Sequence, residues 1–167
     1  MEALAAVQGW GLIFALIGVA LAVFLSGVGS AIGVGTAGKS AAGVLSEKPE
    51  RYTQLFLMVV LPSTQGIYGF LVGFNLIGKL IGPEAPDLSP GMGLAICAAC
   101  LPIALSGLVS GIHQGRVCAS GILMAAKKPE MAFKAGVVYA VMVEIYAVLG
   151  WLVSYMATGA LVTAASG

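Results

Sequence analysis

Four runs of amino acids decide what this chain is able to fold into. Trp10–Gly38, Tyr52–Gly78, Leu88–Gly115 and Ala135–Gly167 are uncharged or nearly so, and the last is broken only by Glu144. Each is longer than the roughly 20 apolar residues that cross a bilayer core. Backbone polar groups find no water there, so such runs must satisfy themselves as helices. The expected fold is an all-α membrane protein with four transmembrane helices. At about 1.5 Å of rise per residue they should project beyond the hydrocarbon on one side. Composition agrees: of 167 residues 59% are hydrophobic and 9% charged, against about a quarter charged in a soluble domain. The start, Met1-Glu2-Ala3, carries no basic stretch, and the first run far exceeds the roughly 7–15 apolar residues of a signal-peptide core, so Trp10–Val44 is expected to stay in place as a helix.

The charges that do occur are sorted by side. Lys39, Lys48, Arg51, Arg116, Lys127, Lys128 and Lys134 gather around two short loops, Ser46–Arg51 and Ala126–Lys134, while Lys79, Glu2, Glu84 and Asp87 lie toward the other side. The positive-inside rule places the two loops in the cytoplasm and both termini outside a cell membrane. A net charge of +1 gives no sign of a nucleic-acid partner. Cys97, Cys100 and Cys118 all fall within apolar runs, and Cys97-Ala-Ala-Cys100 lacks a second ligand pair, so all three read as small packing residues.

The chain also repeats itself. A shift of 80 lays Ser26-Gly27-Val28-Gly29-Ser30 on Ser106-Gly107-Leu108-Val109-Ser110, and Lys48-Pro49-Glu50 on Lys128-Pro129-Glu130. A shift of 81 lays Gly69-Phe70-Leu71-Val72 on Gly150-Trp151-Leu152-Val153. The expected organisation is a first hairpin over 1–80, an outer loop over 81–90 punctuated by Gly82-Pro83, Pro86 and Pro90, and a second hairpin over 91–167. The second hairpin enters from the same side as the first, so the repeats are parallel. The first helix of each hairpin carries small residues every fourth position: Gly27, Ala31 and Gly35, then Gly107, Gly111 and Gly115. Such stripes let helix backbones approach closely, either within one bundle or along the inner wall of a ring of copies. The second helices carry bulkier residues (Leu55, Phe56, Leu57, Phe70 and Phe74; Phe133, Tyr139, Tyr146 and Trp151) suited to a lipid-facing layer.

The loop prolines serve as depth markers. Glu144 lies 15 residues after Pro129 and Gln114 lies 15 before it, while Thr64 and Gln65 lie 15 and 16 after Pro49. All four therefore sit roughly 20 Å from the loops, on three different helices. Leu61, Thr64, Gln65 and Tyr68 share one helix face by their spacing. Pro62 removes an N–H and is expected to free the Met58 carbonyl; Pro102 does the same for Ala98 and reads as a kink away from the cluster. A bare carboxylate at mid-membrane costs about 3 kcal/mol even on lenient insertion scales. It must be neutralised by a proton or by a bound cation. Sodium requires several oxygens in place of its water shell, and Thr64, Gln65, Gln114 and Glu144 offer them. Tyr68 is placed to donate its phenol proton to the carboxylate. His113, beside Gln114 but about 100° round the helix, receives no role.

The paired hairpins, the glycine-rich first helices, Leu61-Pro62-Ser63-Thr64-Gln65-Gly66-Ile67-Tyr68-Gly69 and Met142-Val143-Glu144-Ile145-Tyr146 together resemble the proteolipids (type c or K) of V-type ATPases, in particular the bacterial sodium-translocating kind. The resemblance runs from about Gly9 to Val162. It implies a homo-oligomeric ring of identical subunits in the lipid, turned by a central-stalk subunit docked on the cytoplasmic loops and facing a stator membrane subunit with a basic residue. It also implies a sodium ion held by Glu144, Gln114, Gln65, Thr64 and the Leu61 carbonyl, with Tyr68 in support. The Leu61 carbonyl rests on the resemblance alone. Where the second hairpin has Glu144 and Gln114, the first has Ser63 or Thr64 and Val34, so one acid serves four helices. No phosphate-binding G-x-x-x-x-G-K-[ST] motif occurs, which assigns ATP chemistry to partner subunits. The same rotor carrying protons is the alternative within the class. A stand-alone four-helix transporter is the alternative outside it, and inverted repeats would be more usual there.

Overall fold

The computed structural model describes residues 2–82 and 85–166, with side chains from Gly9 onward. Pro83 and Glu84, Gly167, and the side chain of Glu2 lie outside that description. The described residues form helices and no strand. Helix α1 spans Glu2–Leu45; α2 (Tyr52–Val60), a 3-10 turn (Leu61–Ser63) and α3 (Thr64–Leu80) make the second span. The third span is α4 (Pro90–Lys127), and the fourth is a π-helical segment (Ala132–Val137) running into α5 (Val138–Ser166). All four spans are long and apolar enough to cross a membrane. The 44 residues of α1 amount to about 66 Å, well beyond the roughly 30 Å of hydrocarbon.

Two parallel helices, α1 and α4, form the spine, and glycine decides how closely they meet. A methyl group added at Gly29 would lie 2.6 Å from the Gly107 and Leu108 carbonyl oxygens, and one at Gly111 would lie 2.6 Å from the Gly29 backbone. Gly33 packs in the same way between Gly111 and Gly115. The second layer is α2–α3 against α1 and α5 against α4. Here too the repeat is visible in atoms, because Gly69 abuts the Ser26 side chain and Gly150 abuts that of Ser106.

The two short turns, after α1 and after α4, match bond for bond. Lys48 N–H donates to Val44 O at 2.9 Å and Lys128 N–H to Met124 O at 2.8 Å. Arg51 N–H donates to Lys48 O and Met131 N–H to Lys128 O, at 3.1 and 3.0 Å. The Lys48 ammonium reaches the Ala126 carbonyl at 2.6 Å, capping the last turn of α4, and Gln54 Nε2 reaches Pro129 O at 2.7 Å.

Burial is layered. One apolar cluster (Val19, Val72, Leu76, Ile96, Ile103 and others) fills the half toward the α3–α4 loop, and a second (Leu55, Met58, Cys118, Ile122, Ala140 and others) fills the half toward the short loops. Between them lie buried Ser26, Ser30, Gln65, Ser110 and Gln114. A polar belt thus crosses the bundle at one level.

Two expectations are corrected. The small-residue stripes are not equivalent: Gly107, Gly111 and Gly115 are buried against α1, whereas Gly27 and Gly35 have nothing within 4 Å of an added methyl group and Ala31 is exposed. The stripe α1 presents to α4 is Gly29 and Gly33, two residues out of register with the first, which puts it on the opposite side of the helix. Nor are all the bulky second-helix residues outward. Phe56, Phe70, Phe74, Phe133, Tyr139 and Tyr146 are exposed, but Leu55 is buried and Trp151 packs into the first cluster beside Tyr68, their ring centroids 5.9 Å apart.

Candidate ion-binding site

The site grows from the break in the second span. Pro62 has no N–H to give, and the chain tightens into the 3-10 turn before α3 begins. Both the N–H and the hydroxyl of Thr64 are donated to the Leu61 carbonyl, the hydroxyl at 2.9 Å. Breaking the span leaves first-turn N–H groups of α3 in search of acceptors. Ser30 Oγ of α1 accepts one of them, from Gly66, at 2.7 Å. The Met58 carbonyl, which proline chemistry alone pointed to, takes no part in the side-chain network among the described residues. Leu61's does.

From Thr64 a chain of polar contacts leads to the acid. Thr64 Oγ1 lies 3.5 Å from Gln65 Oε1. Gln65 Nε2 donates to Gln114 Oε1 at 2.7 Å, and both glutamines are fully buried. Gln114 Nε2 donates to the Ala140 carbonyl at 3.0 Å and approaches Glu144 Oε2 at 3.4 Å. Tyr68 donates its hydroxyl to Glu144 Oε1 at 2.8 Å. The structure therefore brings Leu61, Thr64, Gln65, Tyr68, Gln114 and Glu144 from α2–α3, α4 and α5 into one network.

Its charge balance is simple. Among the described residues no Lys or Arg pairs with Glu144, and the one ion pair is Glu50–Arg51 at the loop. No group of three or more His, Cys, Asp or Glu occurs among them either, which leaves one carboxylate among neutral oxygens and amides. Such a set compensates a single positive charge. It is too weakly charged for the multi-carboxylate cages that hold divalent ions.

Two partners were not legible in the sequence. The Ala140 carbonyl looks like any other helix carbonyl, and Ser30 is one of several small residues in α1. His113 and the cysteines stay out of the network: His113 is exposed on α4, Cys97 is half-buried, and Cys100 and Cys118 are buried thiols.

The family model for the C subunit of ATP synthase matches residues 17–76 and again 97–157, once per hairpin and over more than half of the chain. The chain belongs to that family. Members form the oligomeric membrane rings of rotary ATPases, and this chain is a multi-pass membrane protein of the V-type proteolipid kind, one of the units of a ring. It is 45% identical to the K subunit of the V-type sodium ATPase of Enterococcus hirae over 89% of this chain and 92% of that one. It is 36% identical to the K subunit of the A-type ATP synthase of Methanocaldococcus jannaschii over 87% of this chain and 61% of that one. To the 16 kDa proteolipid of the V-type proton ATPase of Nephrops norvegicus it is 30% identical over 71% and 73%.

Proposed function

We propose that this proteolipid carries sodium, bound once per chain by Glu144, Gln114, Gln65, Thr64 and the Leu61 carbonyl, with Tyr68 holding the carboxylate. The observation that supports this reading is the clustering of neutral oxygens on the acid's side of the break: Leu61 O and Thr64 Oγ1 lie 2.9 Å apart, and Thr64 Oγ1 and Gln65 Oε1 3.5 Å apart. A proton would need only the carboxylate and one hydrogen-bond partner. The sodium-coupled relative at 45% identity points the same way, while other V-type relatives are proton ATPases.

The mechanism follows from the cost of charge in lipid. With sodium bound, the site is neutral and passes through the hydrocarbon. Once empty it exposes a carboxylate, which is held at a polar interface until reloaded. A basic residue of a stator membrane subunit satisfies that need. Loading from one side and release to the other then converts ion flow and rotation into each other. Tyr68 keeps Glu144 in place through the exchange, and Gln114 couples its position to Gln65.

The chain carries no nucleotide motif and works as the non-catalytic rotor, ATP being handled by partner subunits. The short loops lie in the cytoplasm and receive the central stalk; both termini lie outside, and each half, 1–80 and 91–167, is one hairpin. The experiment is carbodiimide labelling of Glu144 in the assembled ring. Sodium should slow the labelling and potassium should not. Equal rates with and without sodium would leave the proton as cargo.

A further inference from the structure

Tyr68 holds Glu144 by the far end of its side chain. Its hydroxyl meets Glu144 Oε1 at 2.8 Å, and such a bond weakens steeply once distance or angle drifts. A small turn of the ring moves the hydroxyl more than it moves the rest of the side chain. The bond therefore depends on what fixes the ring. Beside it stands Trp151 of α5, with ring centroids 5.9 Å apart and planes inclined by 30°. Both side chains also pack against the apolar cluster toward the α3–α4 loop.

Trp151 is itself firmly seated. It follows Glu144 by seven residues, which puts it two turns along α5 and within about 20° of the same face. The chain on either side of it is pressed onto α4. A methyl group added at Gly150 would lie 2.8 Å from the Pro102 carbonyl oxygen, and Ser154 Oγ accepts the Ile103 N–H at 3.1 Å. The indole N–H is buried and has no acceptor among the described residues. A buried indole N–H usually finds one, so phenylalanine would suit this place better if filling space were all it required.

The first hairpin makes that simpler choice. A shift of 81 lays Phe70 and Phe74 on Trp151 and Tyr155, and each pair is in aromatic contact, at 5.7 and 5.9 Å. Phe70 and Phe74 are 53% and 67% exposed, whereas Trp151 is half-buried beside Tyr68. The same repeat position faces outward where there is no acid and backs the tyrosine where there is one.

We propose that Trp151 is a positioning residue of the ion site: its indole backs the Tyr68 ring and keeps the phenol hydroxyl on Glu144 Oε1. It thereby governs how firmly the carboxylate is held as the ion comes and goes, and it acts through Tyr68 alone. This rests on the ion-carrying role of Glu144 proposed above, but not on which cation is carried. A binding group held by a locked neighbour on a rigid helix keeps its aim.

The experiment is carbodiimide labelling of Glu144 in assembled rings, read as the rate without sodium and as the sodium concentration that halves it. Tyr68→Phe removes the hydroxyl and should change both. Trp151→Leu keeps the hydroxyl and removes its backing. It should raise the sodium midpoint roughly 2–10-fold, the scale of one aromatic contact, and move the sodium-free rate in the same sense as Tyr68→Phe. Trp151→Phe keeps a ring there and should stay within about twofold of the parent. In the Tyr68→Phe background Trp151→Leu should add nothing, because two residues acting through one bond are not additive. Additive effects, an unchanged midpoint in Trp151→Leu, or equal impairment by phenylalanine and leucine overturns the proposal. Should the leucine variant not assemble, Trp151→Met takes its place, filling more of the space with a flexible chain. A parent ring that sodium does not protect would break the sodium reading, and the sodium-free rates would then decide this proposal by the same comparison.

Discussion

The two hairpins share turns, small-residue contacts and direction, yet only the second carries an acid at mid-span, Glu144. In the second, α5 is unbroken through Glu144 and α4 supplies Gln114 beside it. In the first, the corresponding helix is broken at Leu61–Ser63, and α1 has Val34 at the position of Gln114. The serines record the same divergence. Ser30 accepts the Gly66 N–H that the break leaves over, while its counterpart Ser110 lies against an unbroken helix and its buried hydroxyl has no partner among the described residues. Thus the first hairpin has no carboxylate at this level and brings the neutral groups of Thr64 and Gln65 to the network around Glu144. The site is complete only when the hairpins are joined, because Gln65 of one must reach Gln114 of the other at 2.7 Å.

That division of labour is open to attack. Glu144→Gln should abolish ion transport while leaving the ring assembled; loss of assembly would make the glutamate structural. Adding Thr64→Glu to Glu144→Gln, which moves the acid to the first hairpin, should restore no transport, because that hairpin has no counterpart of Gln114. Recovered transport would mean that the hairpins are interchangeable.

Gln114→Val copies the first hairpin's Val34 into the second. It removes a proposed sodium ligand that also bridges Gln65 and Glu144, and sodium affinity should fall by more than the roughly 10–100-fold that follows loss of an outer-shell partner. Sodium titration of carbodiimide labelling reads this directly, and an unchanged midpoint would remove Gln114 from the site. The smallest effect separates the serines. Ser30→Ala orphans the Gly66 N–H and should cost about 1–3 kcal/mol of stability, whereas Ser110→Ala removes a hydroxyl with no partner and should cost almost nothing. Unfolding in detergent compares the two.

Much of this was legible in the sequence because the membrane narrows the choices. Long apolar runs have to be helices, the 80-residue offset gives the hairpins, and counting from Pro49 and Pro129 places Thr64, Gln65, Gln114 and Glu144 at one depth. Three-dimensional neighbours of identical chemistry were less accessible. Proline chemistry pointed to the Met58 carbonyl, but the 3-10 turn brings Leu61's to Thr64. Two stripes of equal composition, Gly27/Ala31/Gly35 and Gly107/Gly111/Gly115, face different things, since the choice between stripes two residues apart on α1 depends on where α4 lies. Leu55 and Trp151 have lipid-facing chemistry but lie toward the other helices.

If two unequal hairpins jointly build one sodium site per chain, the stoichiometry can be counted. Sodium ions bound to purified rings at saturation, relative to the number of chains, should number one per chain, and that ion should be lost in Glu144→Gln. Two ions per chain, or one that survives that substitution, would contradict it.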